Sequence, residues 1–210
     1  METKNEIIKL YKNYYEDRNF EQKGVFKAIF DKYSVSNVLY PGCFVHITPS
    51  FIFSEVVYVD NDGKANKFFS KKIWIAEMIK SRKQYDQEPN LEFISQDYNK
   101  ALPYKNETFD LLISHYAGII SQPCKKYLKK GGLLLVNNSH ADAGVAYLDE
   151  DYELIAAVLT NRKSLISEDK LGEFFIPKRD HKQTIETLIQ SQKGIGYTKT
   201  ANLYIFKKIK

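Results

Sequence analysis

The stretch spanning residues 37–60 constrains the fold more than any other part of the chain. It contains two short apolar runs rich in β-branched residues, at residues 37–40 and 55–60. Such runs, each stopped by turn residues, are typical of parallel strands that are buried on both faces of a sheet. The first is followed by Pro41-Gly42, where the backbone must bend, and the second ends in Asp60. Because open α/β sheets bind ligands at the carboxyl ends of their strands, this stretch predicts a nucleotide-type site.

Composition places the chain among soluble globular proteins. Its 210 residues suit one α/β domain, and 43% are hydrophobic and 27% charged. The net charge of +5 is small and its basic residues are scattered, which does not favour a nucleic-acid partner. Cys43 and Cys124 lie far apart, outside any Cys-x-x-Cys pair, which indicates a reducing compartment. With neither a signal-peptide pattern nor an apolar run of ~20 residues, we expect a cytoplasmic protein.

Hydrophobic periodicity predicts the remaining elements. We expect helices over residues 4–17, 25–33, 64–82, 119–129, 141–148 and 181–192. We expect further strands over residues 91–95, 109–114, 133–136, 153–160 and 197–209, with residues 163–177 forming a hairpin or an inserted loop. Thr48-Pro49 predicts an N-cap followed by a very short helix. Tyr11, Tyr14 and Tyr15 in the first helix are interpreted either as core residues or as the face of a lid over a ligand.

Several motifs occur in the order known from one family. The glycine turn after the first strand and the acid that closes the second are followed by Asp97 after the third strand. A Phe109-Asp110-Leu111 strand and a Leu128-Lys129-Lys130-Gly131-Gly132 segment come next. In this order and spacing the chain resembles the class I S-adenosylmethionine (SAM)-dependent methyltransferases, closely over residues 38–137 and by element order beyond.

The resemblance implies an α/β fold, a single Rossmann-like domain. Its sheet would have seven strands, mostly parallel, with a C-terminal antiparallel strand pair and helices on both faces. The expected organisation is a helical cap over residues 1–35, a nucleotide-binding core over residues 36–140 and the completion of the sheet over residues 141–210.

The resemblance also implies cofactor-binding residues for SAM. Asp60 would accept both ribose hydroxyls, Asp97 the adenine amino group, and the Tyr98 amide would meet the adenine ring. Gly42 in the turn, Tyr40 before it and Asn61 after Asp60 complete the predicted set. The alternative interpretations are a capping or surface acid for Asp60 and a turn residue for Asp97.

The glycine motif departs from the family pattern. Tyr40 stands where the family has an acid, and Phe44 and His46 stand where it has glycines. The half of the site that holds the amino-acid tail of SAM is therefore expected to be rebuilt, with a carboxylate bound at the short helix that starts at Thr48-Pro49. The alternative interpretation is that SAM binding has been lost.

Methyl transfer needs in-line placement of a nucleophile and, for some acceptors, a base. The predicted catalytic residues are His115 and Tyr116, after the fourth strand, with Asn138 and His140 as further candidates. The chain lacks an Asn/Asp-Pro-Pro-Tyr signature there, which argues against methylation of DNA bases or glutamine. The histidines, His46, His115, His140 and His181, show no metal-ligand spacing, so no metal is expected.

Three functions follow from these observations. The first is a SAM-dependent methyltransferase acting on a small molecule. The second is a non-catalytic methyltransferase-like domain that binds a nucleoside ligand or a protein partner. The third, an NAD-type oxidoreductase, is disfavoured because no Gly-x-Gly-x-x-Gly motif is present. The methyl acceptor and the oligomeric state do not follow from the sequence.

Overall fold

The computed structural model describes residues 3–160, 166–179 and 183–210. The chain divides into two compact units, Met1–Asp97 (unit 1) and Tyr98–Lys210 (unit 2). The division falls inside the expected nucleotide-binding core, and the expected single domain with its three parts stays a prediction.

Two helices open unit 1, as predicted. Helix α1, Lys4–Tyr11, begins with a capping box between Thr3 and Glu6 and continues as a π-helical turn, Lys12–Glu16. Helix α2 spans Lys23–Lys32. The two helices bury apolar faces, on which Ile7, Tyr11, Tyr15, Val25, Phe26 and Ile29 lie.

Three parallel strands follow in unit 1: β1, Asn37–Pro41; β2, Glu55–Asp60; and β3, Asn90–Ser95. Strand β2 lies between β1 and β3. A single 3₁₀ turn, Thr48–Phe51, connects β1 to β2, which confirms the very short crossover. The predicted capping role of Thr48 is wrong, because the N-cap is Ile47 and the Thr48 hydroxyl instead lies 2.7 Å from that of Tyr11.

The predicted continuous helix over residues 64–82 is wrong. The segment forms two helices, α3, Gly63–Phe69, and α4, Lys72–Lys80. The N-cap residue of α4, Lys71, leaves the helical region with φ −92° and ψ 51°. This break rotates the apolar stripe, so that Ile73, expected in the stripe, is 75% exposed.

Unit 2 contains five strands and two helices among the residues that the structure describes. The strands are β4, Phe109–Ser114; β5, Leu128–Val136; β6, Tyr152–Val158; β7, Ile166–Ser167; and β8, Leu203–Lys208. The helices are α5, Asp142–Leu148, and α6, Ile185–Ser191.

Strand pairing in unit 2 confirms the expected arrangement. Strands β4 and β5 are parallel, and β8 lies between β5 and β6, antiparallel to both. The two-residue strand β7 pairs with β6 and brings the described strands to eight, one more than expected. The α/β class, the mostly parallel strands and the antiparallel C-terminal strands are therefore as predicted. Residues 161–165 and 180–182, including His181, lie outside the described residues.

The helix predicted over residues 119–129 is wrong. This segment forms turns and a 3₁₀ turn, Lys125–Tyr127, and β5 already begins at Leu128, so that Gly131 and Gly132 lie inside the strand. The amides of Ile120 and Ser121 donate to the carboxylate of Asp142, more than twenty residues further along the chain. A side chain outside the segment therefore decides its conformation.

Candidate functional site

The carboxyl edge of the strands in unit 1 holds both acids that the sequence singled out. Asp60 is the last residue of β2 and pairs in register with Ser95, the last residue of β3. Asp97 follows Ser95 by two positions, and the intervening Gln96 donates its amide to the Asp60 carbonyl at 3.1 Å. The two acids therefore follow adjacent parallel strands at one edge. Asp97 is partly exposed, and Asn61, beside Asp60, is exposed.

Asp60 holds the glycine turn, residues 42–47, against the end of β2 through hydrogen bonds. Its Oδ2 accepts the Phe44 amide at 2.7 Å and its Oδ1 accepts the Asp62 amide at 2.8 Å. Gly42, with φ 62°, donates its amide to the Val59 carbonyl at 2.8 Å. Phe44 also has a left-handed backbone, with φ 48°, in a position where the family has glycine. The turn has the backbone conformation of a glycine loop although only one glycine remains.

Tyr40 is buried and contacts His46. The Tyr40 hydroxyl lies 3.0 Å from His46 Nδ1, and His46 Nε2 lies 3.1 Å from the Glu21 carbonyl oxygen. Because a carbonyl can only accept, Nε2 carries the proton and the Tyr40 hydroxyl donates to Nδ1. Burial lowers the pKa of His46 to about 4, so the ring is neutral at pH 7.

Aromatic side chains of the first helical segment fill the surroundings of this pair. Tyr15 stacks on His46 with ring centroids 4.3 Å apart, and Tyr14 packs edge-on against Phe44 at 4.9 Å. Burial raises the pKa of Tyr15. Of the two interpretations of the helix-1 tyrosines, the geometry of Tyr11 and Tyr15 is that of core residues.

The predicted catalytic residues lie after β4 in unit 2. His115 is buried, whereas Tyr116 is 50% exposed and has a left-handed backbone with φ 58°. Tyr98 lies near the same segment, since its hydroxyl donates to the Ala117 carbonyl at 2.5 Å. Gly118, with φ 107°, leaves room for that hydroxyl, because a Cβ there would come within 2.8 Å of it. The structure thus brings Tyr98 to the loop of His115 and Tyr116.

Asp142, at the start of α5, is a buried acid that sequence reasoning missed. Its carboxylate accepts the Ser114 hydroxyl at 2.5 Å and the amides of Ile120 and Ser121 at 3.1 Å. Burial raises its pKa, and these hydrogen bonds oppose the rise. The available signal was an acid in the first turn of a predicted helix directly after the fifth strand. Asp142 positions the segment that follows His115 and Tyr116.

The further candidates Asn138 and His140 precede α5. Asn138 Oδ1 accepts the Gly144 amide at 3.0 Å, and a Cβ on Gly194 would come within 2.8 Å of Asn138 Nδ2. Asn138 therefore fixes the start of α5, while His140 is partly exposed. The predicted roles of the site residues in both units stay predictions.

The described residues hold neither a metal-binding cluster nor a membrane-spanning helix. No group of three or more His, Cys, Asp or Glu side chains in that part of the chain is arranged to hold a metal ion. Over the same ranges, the helices are too short or too polar to cross a membrane.

No protein-family model matches the chain, and no curated protein matches it in sequence. Solved structures with a similar fold include YcgJ from Bacillus subtilis, at 19% identity and a TM-score of 0.44. This chain covers 56% of YcgJ and the match spans 60% of this chain, so the two share about half their length. A methyltransferase from Geobacter sulfurreducens has 12% identity, a TM-score of 0.49 and coverage of 74% of this chain and 85% of that one. A SAM-dependent methyltransferase from Methanosarcina mazei has 16% identity, a TM-score of 0.45 and coverage of 87% and 97%.

Strand pairing gives the chain a Rossmann-like α/β fold with antiparallel C-terminal strands, and the fold expected from the resemblance is confirmed.

Proposed function

We propose that the protein is a SAM-dependent methyltransferase that acts on a small-molecule acceptor. One observation carries the proposal: Asp60 and Asp97 follow adjacent parallel strands at the carboxyl edge of unit 1. This edge is where open α/β sheets bind nucleotides and related ligands.

The residues at this edge fit the adenosine half of SAM. Each Asp60 oxygen accepts one backbone amide and has a second lone pair, which suits the two hydroxyl hydrogens of a ribose. Asp97 supplies an acceptor for the adenine amino group, and the adjacent Tyr98 amide supplies a donor for the ring nitrogen. Gly42, Tyr40 and Asn61 flank this set in the chain.

When bound, SAM supplies an electrophilic methyl group. The chain has only to place the acceptor in line and, where needed, to take its proton. We assign proton acceptance to His115 and placement of the acceptor to the half-exposed ring of Tyr116. The loop that Asp142 and Tyr98 fix would hold both in place.

A second candidate is a non-catalytic domain that binds a nucleoside or a protein partner. The observation that favours it is the buried Tyr40–His46 pair, which occupies motif positions of an acid and a glycine.

Titration calorimetry with SAM and S-adenosylhomocysteine tests the binding proposal. We expect both to bind the wild type and Asp60→Asn to lower the affinity at least tenfold, about 1.4 kcal/mol, since a charge-assisted acceptor is lost. Asp97→Ala tests the second acid independently. Asp62→Asn is the matched control: it makes the same charge change two residues away and keeps a good N-cap for α3. Equal affinity in folded Asp60→Asn and Asp97→Ala variants would contradict the site.

Mass-spectrometric detection of S-adenosylhomocysteine over a panel of small-molecule acceptors separates the two functions. The enzyme is expected to form it with at least one acceptor and the His115→Ala variant to form less. Tight SAM binding without turnover across the panel would favour the non-catalytic domain.

A further inference from the structure

Four amides of the glycine turn, residues 42–47, have acceptors within the protein. Gly42 donates to the Val59 carbonyl, and Phe44 donates to the Asp60 carboxylate. His46 donates to the Cys43 carbonyl at 3.0 Å and Ile47 to the Val45 carbonyl at 3.1 Å. Cys43 and Val45, which lie between these donors in the chain, are buried. A loop recognises a carboxylate or phosphate through amides that point at the ligand. The amides of Gly42, Phe44, His46 and Ile47 have protein acceptors instead.

The 3₁₀ turn after Thr48-Pro49 does not supply the missing amides. Pro49 has no N–H, and Ser50 donates its amide to the Ile47 carbonyl at 3.0 Å and to the Tyr58 hydroxyl at 3.2 Å. Thr48, Pro49 and Ser50 are all buried. The Pro49-Ser50 segment therefore has no open amide for a ligand carboxylate, which does not support the binding of a carboxylate at this helix start.

The negative charge beside the turn also disfavours a ligand carboxylate there. Asp60 touches the turn directly, and Asp62, two residues on, already accepts the Lys64 and Ala65 amides at the start of α3. The Asp60 carboxylate beside the turn disfavours a ligand carboxylate and favours the hydroxyl donors of a ribose.

We propose that this site recognises its ligand through the adenosine half alone, so that adenosines with an uncharged 5′ substituent bind as well as SAM and its product. The inference rests on the proposed function, because it assumes that the adenosine lies at Asp60 and Asp97. It extends that function by naming a ligand class, 5′-thioadenosines without an amino-acid tail. It also excludes a pyrophosphate ligand at this turn, which disfavours NAD.

Competition and titration calorimetry on the full chain test the proposal. We expect 5′-methylthioadenosine to bind within about fivefold of S-adenosylhomocysteine, since the tail adds no charge-assisted hydrogen bonds at the turn. Adenosine is expected to displace S-adenosylhomocysteine, whereas homocysteine at millimolar concentration is not. An affinity for S-adenosylhomocysteine more than about fivefold above that for 5′-methylthioadenosine, or displacement by homocysteine, would overturn the inference.

The outcomes also separate this inference from the proposed function. A strong preference for S-adenosylhomocysteine over 5′-methylthioadenosine would contradict only this inference and would remain consistent with the methyltransferase proposal. Absence of binding by every adenosine compound removes both. As a further check, Asp60→Asn should weaken S-adenosylhomocysteine and 5′-methylthioadenosine by the same factor, since both share the ribose.

Discussion

His46 occupies a position that the family gives to glycine, and its buried ring has one defined tautomer. Its neighbours fix that tautomer: the Glu21 carbonyl accepts from Nε2 and the Tyr40 hydroxyl donates to Nδ1. The stacked Tyr15 ring completes the enclosure. A cationic ring would carry a proton on both nitrogens. Its Nδ1–H would then face the Tyr40 hydroxyl, which now donates to an unprotonated Nδ1.

We expect His46 to make the protein less stable in mild acid. Its pKa is about 4 in the folded state against 6.5 in the ordinary range, so the unfolded chain takes up the proton first as pH falls. Above pH 6.5 the ring is neutral in both states and does not lower the free energy of unfolding. Between pH 6.5 and 4 the free energy of unfolding falls by about 3 kcal/mol. Urea unfolding at several pH values should show this loss in the wild type and not in His46→Gln. Identical pH slopes in the two proteins would argue against it.

Tyr40→Phe should destabilise the protein by about 1–3 kcal/mol, because it leaves the buried Nδ1 of His46 without its donor. The free energy of unfolding in urea measures the effect. Tyr147→Phe is the matched control, since that ring is 40% exposed, and it should change stability by less than about 0.5 kcal/mol. A Tyr40 variant as stable as the control would rule out the proposed pairing.

Two acids hold the loops of the candidate site, and each lies at one end of a secondary-structure element. Asp60 at the end of β2 holds the glycine turn of unit 1, and Asp142 at the start of α5 holds the segment after β4 in unit 2. Both carboxylates accept backbone amides from a loop distant in sequence. Element ends, rather than element interiors, therefore determine the shape of these loops.

Asp142→Ala should cost at least about 3 kcal/mol, because the Ser114 hydroxyl and two buried amides lose their acceptor. Hydrogen exchange should speed up at the Ile120 and Ser121 amides more than in the core strands. Glu150→Ala, which removes an 89% exposed acid nearby in the chain, is the control and should stay within about 0.5 kcal/mol of the wild type. Unchanged exchange at Ile120 and Ser121 would contradict the role of Asp142.

The sequence predicted strands more reliably than helices, for physical reasons visible at particular elements. Strands β1, β2 and β4 are short, mostly apolar runs, so local composition suffices to predict them. The break between α3 and α4 depends on the backbone at Lys71, which no periodicity records. The absent helix before β5 depends on Asp142, a residue outside the segment.

For the candidate site, sequence order predicted which acids end up at one edge but not what surrounds them. Asp60 and Asp97 follow adjacent strands because the parallel pairing of β2 and β3 is in register. The stacking of Tyr15 on His46 joins side chains from two elements, and motif spacing contains no information on such a contact. The sequence therefore indicated an altered glycine motif, and the structure shows what replaces it.

At the scale of the whole molecule, the fold is Rossmann-like, and the proposed chemistry depends on a nucleoside at the edge of unit 1. The adenosine half has fitting acceptors there, while four amides of the turn that would hold a charged tail already have acceptors within the protein. The proposed recognition is therefore centred on the ribose and the adenine.

A crystal structure with S-adenosylhomocysteine tests this account most directly. We expect both ribose hydroxyls within hydrogen-bond distance of the Asp60 carboxylate and the adenine amino group within reach of Asp97. A ligand bound elsewhere, or a ribose held by other groups while Asp60 keeps only its contacts to Phe44 and Asp62, would contradict the account.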